Sequence, residues 1–155
     1  SNEKHKNLRT IIKAFKSSKI DKKFKLIIAG YGQKKEKISN NIFSLGKISE
    51  EQKYVLFKNC ICYLHPSLYE GFGMPLVEAL LLKKKIITNV NGSIKEITLN
   101  NAIYVQNPKN YLSWVKEINK FKYLKFPKIN IKKIYKIYNY KNILKTYHKE
   151  ILNEK

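Results

Sequence analysis

The chain has 155 residues, enough for one compact domain and too few for two ordinary ones. With 43% hydrophobic and 12% aromatic residues it can build a core, which excludes a disordered chain despite a formal net charge of +21 from 32 Lys+Arg against 11 Asp+Glu. That charge suits an anionic partner such as a phosphorylated ligand, a nucleic acid or an acidic membrane face, although lysines spread along the whole chain are for the most part solvated helix faces.

In chain order, NLRTIIKAFKSS (7–18) sets Leu8, Ile11, Ile12 and Phe15 at helical spacing with lysines between them, an amphipathic helix. FKLIIAG (24–30) is a β-branched apolar run closed by GYG, which reads as a buried strand and a turn served by Gly30 and Gly32. A polar helical stretch is expected from there to about residue 40. NIFSLG (41–46) is a second strand, and SEEQKYVLFKN opens a helix in which Ser49 caps and Gln52 completes a capping box. CICYLHP (60–66) is a third strand. It places Cys60 and Cys62 on one face, poorly disposed for a disulfide, as two buried thiols of a reducing compartment.

After a loop over 66–74, Pro75 opens a helix to about residue 83. KIITNV and AIYVQ supply two further strands around a short helix near 93–98. Residues 111–155 hold no convincing strand and read as two or three helices broken near Pro127; the last, YKNILKTYHKEIL, carries an apolar stripe through Ile143, Leu144, Tyr147 and Ile151. Strands that alternate with helices, and are apolar nearly throughout, predict a parallel sheet covered on both faces, a Rossmann-like doubly wound α/β domain over 1–155. No apolar run reaches the length of a membrane span, no signal peptide is visible, and no Cys or His pair has zinc-like spacing. Ser1-Asn2 reads as an expression remnant, so the natural start is expected upstream.

The segment HPSLYEGFGMPLVEALLL (65–82) carries the chemistry. Ligands of open α/β sheets bind outside the carboxyl ends of the strands, and here a strand runs through a glycine-aromatic-glycine turn into a helix. The amides of Met74, Leu76 and Val77 at that helix start suit a phosphate, and Gly71 and Gly73 let a ligand approach the main chain. Glu78, placed in the first helical turn, is positioned for a ribose diol, and Glu70 for hydroxyls of a second sugar. Two carboxylates flanking an anion site fit a diol–diphosphate–diol ligand, a nucleotide sugar. The plainer reading is that an acid near a helix start complements the dipole and that EGFG is an ordinary turn with Phe72 buried. His65, at the strand end, is either a base or, more commonly for such a residue, a hydrogen-bonded packing group.

PSLYEGFGMPLVEAL resembles the glutamate-x7-glutamate motif in the donor-binding domain of group 1 glycosyltransferases, retaining enzymes of the GT-B fold. KLIIAGYGQ is similar to their strand ending in glycine-x-glycine, SLGKISEEQKYVLFKNC to their G-x-(V/I)-s-x-e segment with its helix, NVNGSIKEI to their g-G-x-x-E segment, HKNLRTIIKAF to their lysine-asparagine helix opening and YNYKNILKTYHKEIL to their final helix. The resemblance implies that Glu78 binds the ribose of a UDP- or GDP-sugar and that Glu70 is the catalytic carboxylate near the transferred sugar. It further implies that Gly71, Phe72, Gly73, Met74 and Leu76 contact the donor through the backbone, that Lys6 neutralises the diphosphate, and that Lys47 and Ile48 lie near the nucleobase. It implies retention without a clear protein nucleophile, no required metal and no cofactor. It also implies a fragment: the strand before Lys6 and an N-terminal acceptor domain are absent, and NGSIKE stands where members often have GGLPE. The expected setting is the cytoplasm, peripheral to a membrane whose anionic surface or lipid-linked acceptor is a partner in cell-surface polysaccharide, lipopolysaccharide or glycan assembly. Two other readings compete. A nucleic-acid-binding module is suggested by lysines interleaved with aromatics in FKYLKFPKINIKKIYKIYNYK, but Tyr135, Tyr138 and Tyr147 fall near helical spacing. A dinucleotide-binding oxidoreductase is suggested by IIAGYG, which lacks the third glycine of the fingerprint.

Overall fold

A computed structural model describes residues 3–30, 32–120 and 130–139. Among these, the chain order is α1 (Glu3–Lys6), α2 (Leu8–Lys16), β1 (Leu26–Ile28), β2 (Lys35–Ser39), β3 (Ile42–Leu45), α3 (Glu50–Asn59), β4 (Cys62–Leu64), α4 (Met74–Leu81), β5 (Lys85–Asn89), α5 (Ile94–Ile97), β6 (Ile103–Val105), α6 (Tyr111–Lys120) and α7 (Ile131–Tyr138). The Rossmann-like α/β class expected from the alternation is the one found. The strands hydrogen-bond as two three-stranded sheets, β1-β3-β2 and β4-β5-β6, and every pairing is parallel except β2 with β3.

The central strand β5 shows why both faces must be covered. Side chains alternate along a strand, so Ile86 and Ile87 point to opposite layers, and both are essentially inaccessible. Ile87 joins a core with Ile11, Ala14 and Phe15 of α2, Leu26 and Ile28 of β1, and Trp114 and Ile118 of α6. Through that core the two sheets share one helical layer. Ile86 joins the other layer, built from Phe57 of α3, Leu76, Val77, Ala79 and Leu80 of α4, and Ile134 of α7. No helix among the described residues is long and apolar enough to cross a membrane.

Two local expectations change, at residues 35–39 and at Cys60. Residues 35–39, expected to be helical, form the antiparallel edge strand β2. Its lysines and glutamate read as a polar helix face, whereas on a sheet edge the same charges discourage pairing with another chain. The amphipathic helix expected from Asn7 is present as α2, and Asn7 caps it in the left-handed conformation (φ 55°), one that asparagine tolerates better than most residues. Asn7 also donates through Nδ2 to the Pro108 carbonyl (2.7 Å), which accepts Trp114 Nε1–H as well (2.9 Å), so the start of α2 is pinned to α6. Cys60 ends α3 instead of lying in the strand with Cys62, and both thiols are free and partly buried. Burial pushes the Cys62 thiol up to about 12. The break near Pro127 and the stripe through Ile143, Leu144, Tyr147 and Ile151 lie outside the described residues.

The capping box of α3 is present: Gln52 N–H donates to Ser49 Oγ (3.2 Å) and Ser49 N–H to Gln52 Oε1 (2.9 Å). Urea unfolding should therefore separate two kinds of loss. Ser49→Ala should cost about 1 kcal/mol, and Leu80→Ala, at a fully buried position of α4, should cost roughly 2–5 kcal/mol through the cavity it leaves.

Candidate functional site

The segment between β4 and α4 passes out of the sheet but remains packed against it, so its carbonyl groups need donors other than a ladder. The ladder ends with His65 N–H donating to the Ile87 carbonyl (2.9 Å). Beyond that point side chains take over. Thr88 Oγ1 donates to the His65 carbonyl (3.0 Å) and Asn89 Nδ2 to the Ser67 carbonyl (2.6 Å), both from fully buried positions on β5. Ser93, just before α5, places Oγ 2.7 Å from the carbonyls of both Glu70 and Gly71. On the other side, Leu68 N–H donates to the His5 carbonyl (2.7 Å), which ties the loop to α1.

That last bond brings Lys6, at the end of α1, to the loop. Its ammonium lies 2.8 Å from Glu70 Oε1, joining two residues expected to share a ligand. Glu70 also lies near His65, whose Nε2 is 3.5 Å from the same oxygen, too far for a well-formed hydrogen bond. The His65 imidazole, then Lys6 and the Ser67 hydroxyl, hold the Glu70 carboxyl well below the usual carboxylate range, against the opposing effect of partial burial.

Glu78 stands one turn inside α4 and not in its first turn, because the helix begins at Met74. Its Oε1 is 2.8 Å from Lys53 Nζ, which also pairs with Glu50 Oε2 (2.6 Å). These two carboxylates raise the pKa of Lys53 and keep it charged. The second oxygen of Glu78, Oε2, is buried and has no hydrogen-bond partner among the described residues. An acceptor removed from water without a donor is costly, and a ligand hydroxyl would satisfy it.

The turn itself divides its labour. Gly73 caps α4 in the left-handed conformation (φ 64°), where an added Cβ would come within 3.1 Å of Leu76 Cδ1. Gly71 has no such constraint, and a Cβ there would meet nothing within 4 Å. The space beside the main chain there is open. Phe72 is 47% exposed and not buried as in the plainer reading of EGFG; its ring meets Tyr138 of α7 edge-on at 6.0 Å. Met74 is exposed. Leu76 is fully buried, and its amide, expected to face an anion, donates to the Gly73 carbonyl (2.8 Å). Lys47 and Ile48 lie in the loop that leads into α3 and, among the described residues, take no part in the ion pairs around Glu78.

Sequence reasoning missed Lys53, Asn89 and Ser93. No local pattern marks them, since each acts on a residue more than twenty positions away. It had a signal for Tyr63 and did not use it. Tyr63 and His65 are two apart, hence on one strand face, and Tyr63 Oη lies 2.9 Å from His65 Nδ1.

Because the folded-state pKa of Glu70 lies below its unfolded value of about 4.3, its ionised form contributes stability at neutral pH that is lost as pH falls through the folded value. Melting temperatures between pH 5 and pH 2 should therefore fall less steeply for Glu70→Gln than for the parent, while the two curves run parallel above pH 6.

The family described as glycosyl transferases group 1 matches residues 2–141, nearly the whole chain and all of the segment that carries Lys6, Glu70 and Glu78. The chain is also similar to the O-antigen chain mannosyltransferase RfbU of Salmonella typhimurium, with 28% identity over 87 residues, which are 56% of this chain and 24% of that protein. The matched part thus spans about a quarter of that relative's length. With the two glutamates set around a glycine-capped helix behind β4 and the family match running through both, the chain belongs to the group 1 glycosyltransferases.

Proposed function

We propose that this domain holds the donor of a retaining glycosyltransferase of GT-B type, a UDP- or GDP-sugar, for cell-surface polysaccharide or glycan assembly. One observation carries the reading: Glu70 and Glu78 flank the start of α4, each with an oxygen in a lysine ion pair, and Glu78 Oε2 is a buried acceptor with no donor. Lysine-bound carboxylates beside a glycine turn are suited to a ligand that brings both negative charge and hydroxyl groups.

In this reading the diphosphate lies over the turn, where Gly71 leaves space and the Met74 amide opens α4. Lys6 moves from Glu70 to the phosphates, a short step for a flexible ammonium that is 49% exposed. Glu78 Oε2 accepts a hydroxyl of the ribose, and Lys53 keeps the other oxygen in place. Glu70 accepts hydroxyls of the transferred sugar. Lys6 and backbone amides, with no metal ion, neutralise the diphosphate. The C1–O bond to the diphosphate breaks as the acceptor hydroxyl bonds to C1 on the same face. The acceptor's proton passes to the departing phosphate oxygen. The protein's part is positioning and charge stabilisation.

The acceptor hydroxyl is supplied from an acceptor-binding domain opposite this site, on a lipid-linked or membrane-bound glycan, with the enzyme peripheral at the cytoplasmic face. The printed name of the mannosyltransferase relative, which refers to an O-antigen chain, supports an acceptor of that class.

Titration with UDP- and GDP-sugars, followed by NMR, should shift the amides of residues 71–77 with one of them and not with NAD. Glu78→Ala should weaken the better ligand at least tenfold, about 1.4 kcal/mol. Equal affinity of parent and mutant for that ligand would remove the assignment of Glu78 to the ribose.

A further inference from the structure

His65 is a buried group with a hydrogen bond on one side only. Its side chain is 6% exposed, and Nε2 has no hydrogen-bond partner among the described residues. Behind it, Tyr63 Oη is 2.9 Å from Nδ1. Burial and the nearby Glu70 and Glu78 carboxylates push the Tyr63 phenol up, so it keeps its proton and can donate to Nδ1. With Nδ1 accepting from the phenol, the imidazole proton sits on Nε2 and faces Glu70 Oε1 at 3.5 Å. The opposite tautomer would turn a bare nitrogen lone pair toward a carboxylate, which is repulsive.

Glu70 Oε1 thus has two suitors of different character. Lys6 is half exposed and in contact at 2.8 Å, whereas His65 is buried, bonded to Tyr63 from behind and just out of reach. An anion that takes Lys6 leaves Glu70 without its cation, and a shift of about 0.6 Å then closes the gap to an ordinary hydrogen bond of roughly 2.9 Å. We propose that His65 is a positioning residue for Glu70: Tyr63 fixes its Nε2–H, which captures the carboxylate when an anionic ligand draws Lys6 away, leaving the other carboxylate oxygen for a sugar hydroxyl. Capture replaces the departing ammonium with a donor that cannot follow the ligand, so Glu70 keeps one orientation through binding.

The ligand half of this proposal rests on the nucleotide-sugar reading above, but the coupling between His65 and Glu70 does not. Lys6→Ala imitates the loss of the ammonium without any ligand. In that variant the His65 Nε2–H proton resonance should move downfield and exchange with water more slowly, and imidazole nitrogen shifts should report the Nε2–H tautomer. An unchanged Nε2–H in Lys6→Ala, or a proton found on Nδ1, would overturn the proposal. Affinities supply the second arm. His65→Phe should weaken the nucleotide sugar about tenfold while leaving the matching nucleoside diphosphate within twofold, and His65→Gln, which restores an N–H donor, should recover most of the loss. Equal weakening of both ligands in step with a lower melting temperature would show that His65 serves packing alone. If the parent bound neither ligand, the nucleotide-sugar reading would fall, and the Lys6→Ala spectra would still decide the coupling.

Discussion

The site depends on satisfying the carbonyl groups of a loop that leaves the sheet without leaving the protein. A buried carbonyl without a donor costs on the order of 1–3 kcal/mol, and the buried carbonyls of His65 and Ser67 are met by side chains from later in the chain, Thr88 and Asn89, while the one Ser93 hydroxyl is shared between the less buried carbonyls of Glu70 and Gly71. The arrangement is directional. Carbonyls drawn toward β5 and α5 turn the loop's remaining surface, including the open side of Gly71, away from the core. The polar residues Thr88 and Asn89, placed at the end of β5 after the apolar pair Ile86 and Ile87, are buried because they continue the work of the ladder.

Electrostatics then fixes what such a surface can receive. Two carboxylates beside a helix start would repel a diphosphate if they stood alone. Here each is paired with a lysine from another element, Glu70 with Lys6 of α1 and Glu78 with Lys53 of α3. The two pairs differ in a useful way. Lys53 is held by two carboxylates and is 28% exposed, so it is the fixed member, whereas Lys6 is half exposed and bound to one. An incoming anion therefore has one cation it can recruit at small cost and one it cannot. The excess positive charge of the chain favours the approach of such a ligand but does not select it. In the proposed reading, selection lies with the paired carboxylates.

The sequence made the frame legible where a pattern was local. The capping box at Ser49, the strand–turn–helix around Gly73 and the amphipathic face of α2 all follow from residues within one turn of each other, and all are present. The failures share a cause as well. Residues 35–39 contain charges at a spacing that suits either a helix surface or a sheet edge, and only pairing with β3 decides between them. Glu70 and Glu78 could be named from the sequence, but the lysine that holds each could not. The charge that makes Lys6 and Lys53 suitable is carried by some thirty other residues of the chain.

The same distinction bears on Phe72. A half-exposed aromatic between two glycines has little locally to hold it, and in isolation the turn would sample many conformations. Its ring is met edge-on by Tyr138, whose hydroxyl donates to the Ile97 carbonyl (2.7 Å), while Ile97 itself lies 3.7 Å from the Cβ position of Gly73. Ile134, one turn earlier on α7, is buried against the layer that contains α4. The turn is thus enclosed between α5 on one side and α7 on the other. An edge-to-face aromatic pair contributes only about 0.5–1.5 kcal/mol beyond its buried area, too little to fold a loop but comparable to the differences between neighbouring backbone conformations of a glycine turn. The motif supplies the chemistry and a permissive backbone. Helices far along the chain select one conformation of it, and Glu70 and Glu78 acquire a fixed relation only when that selection has been made.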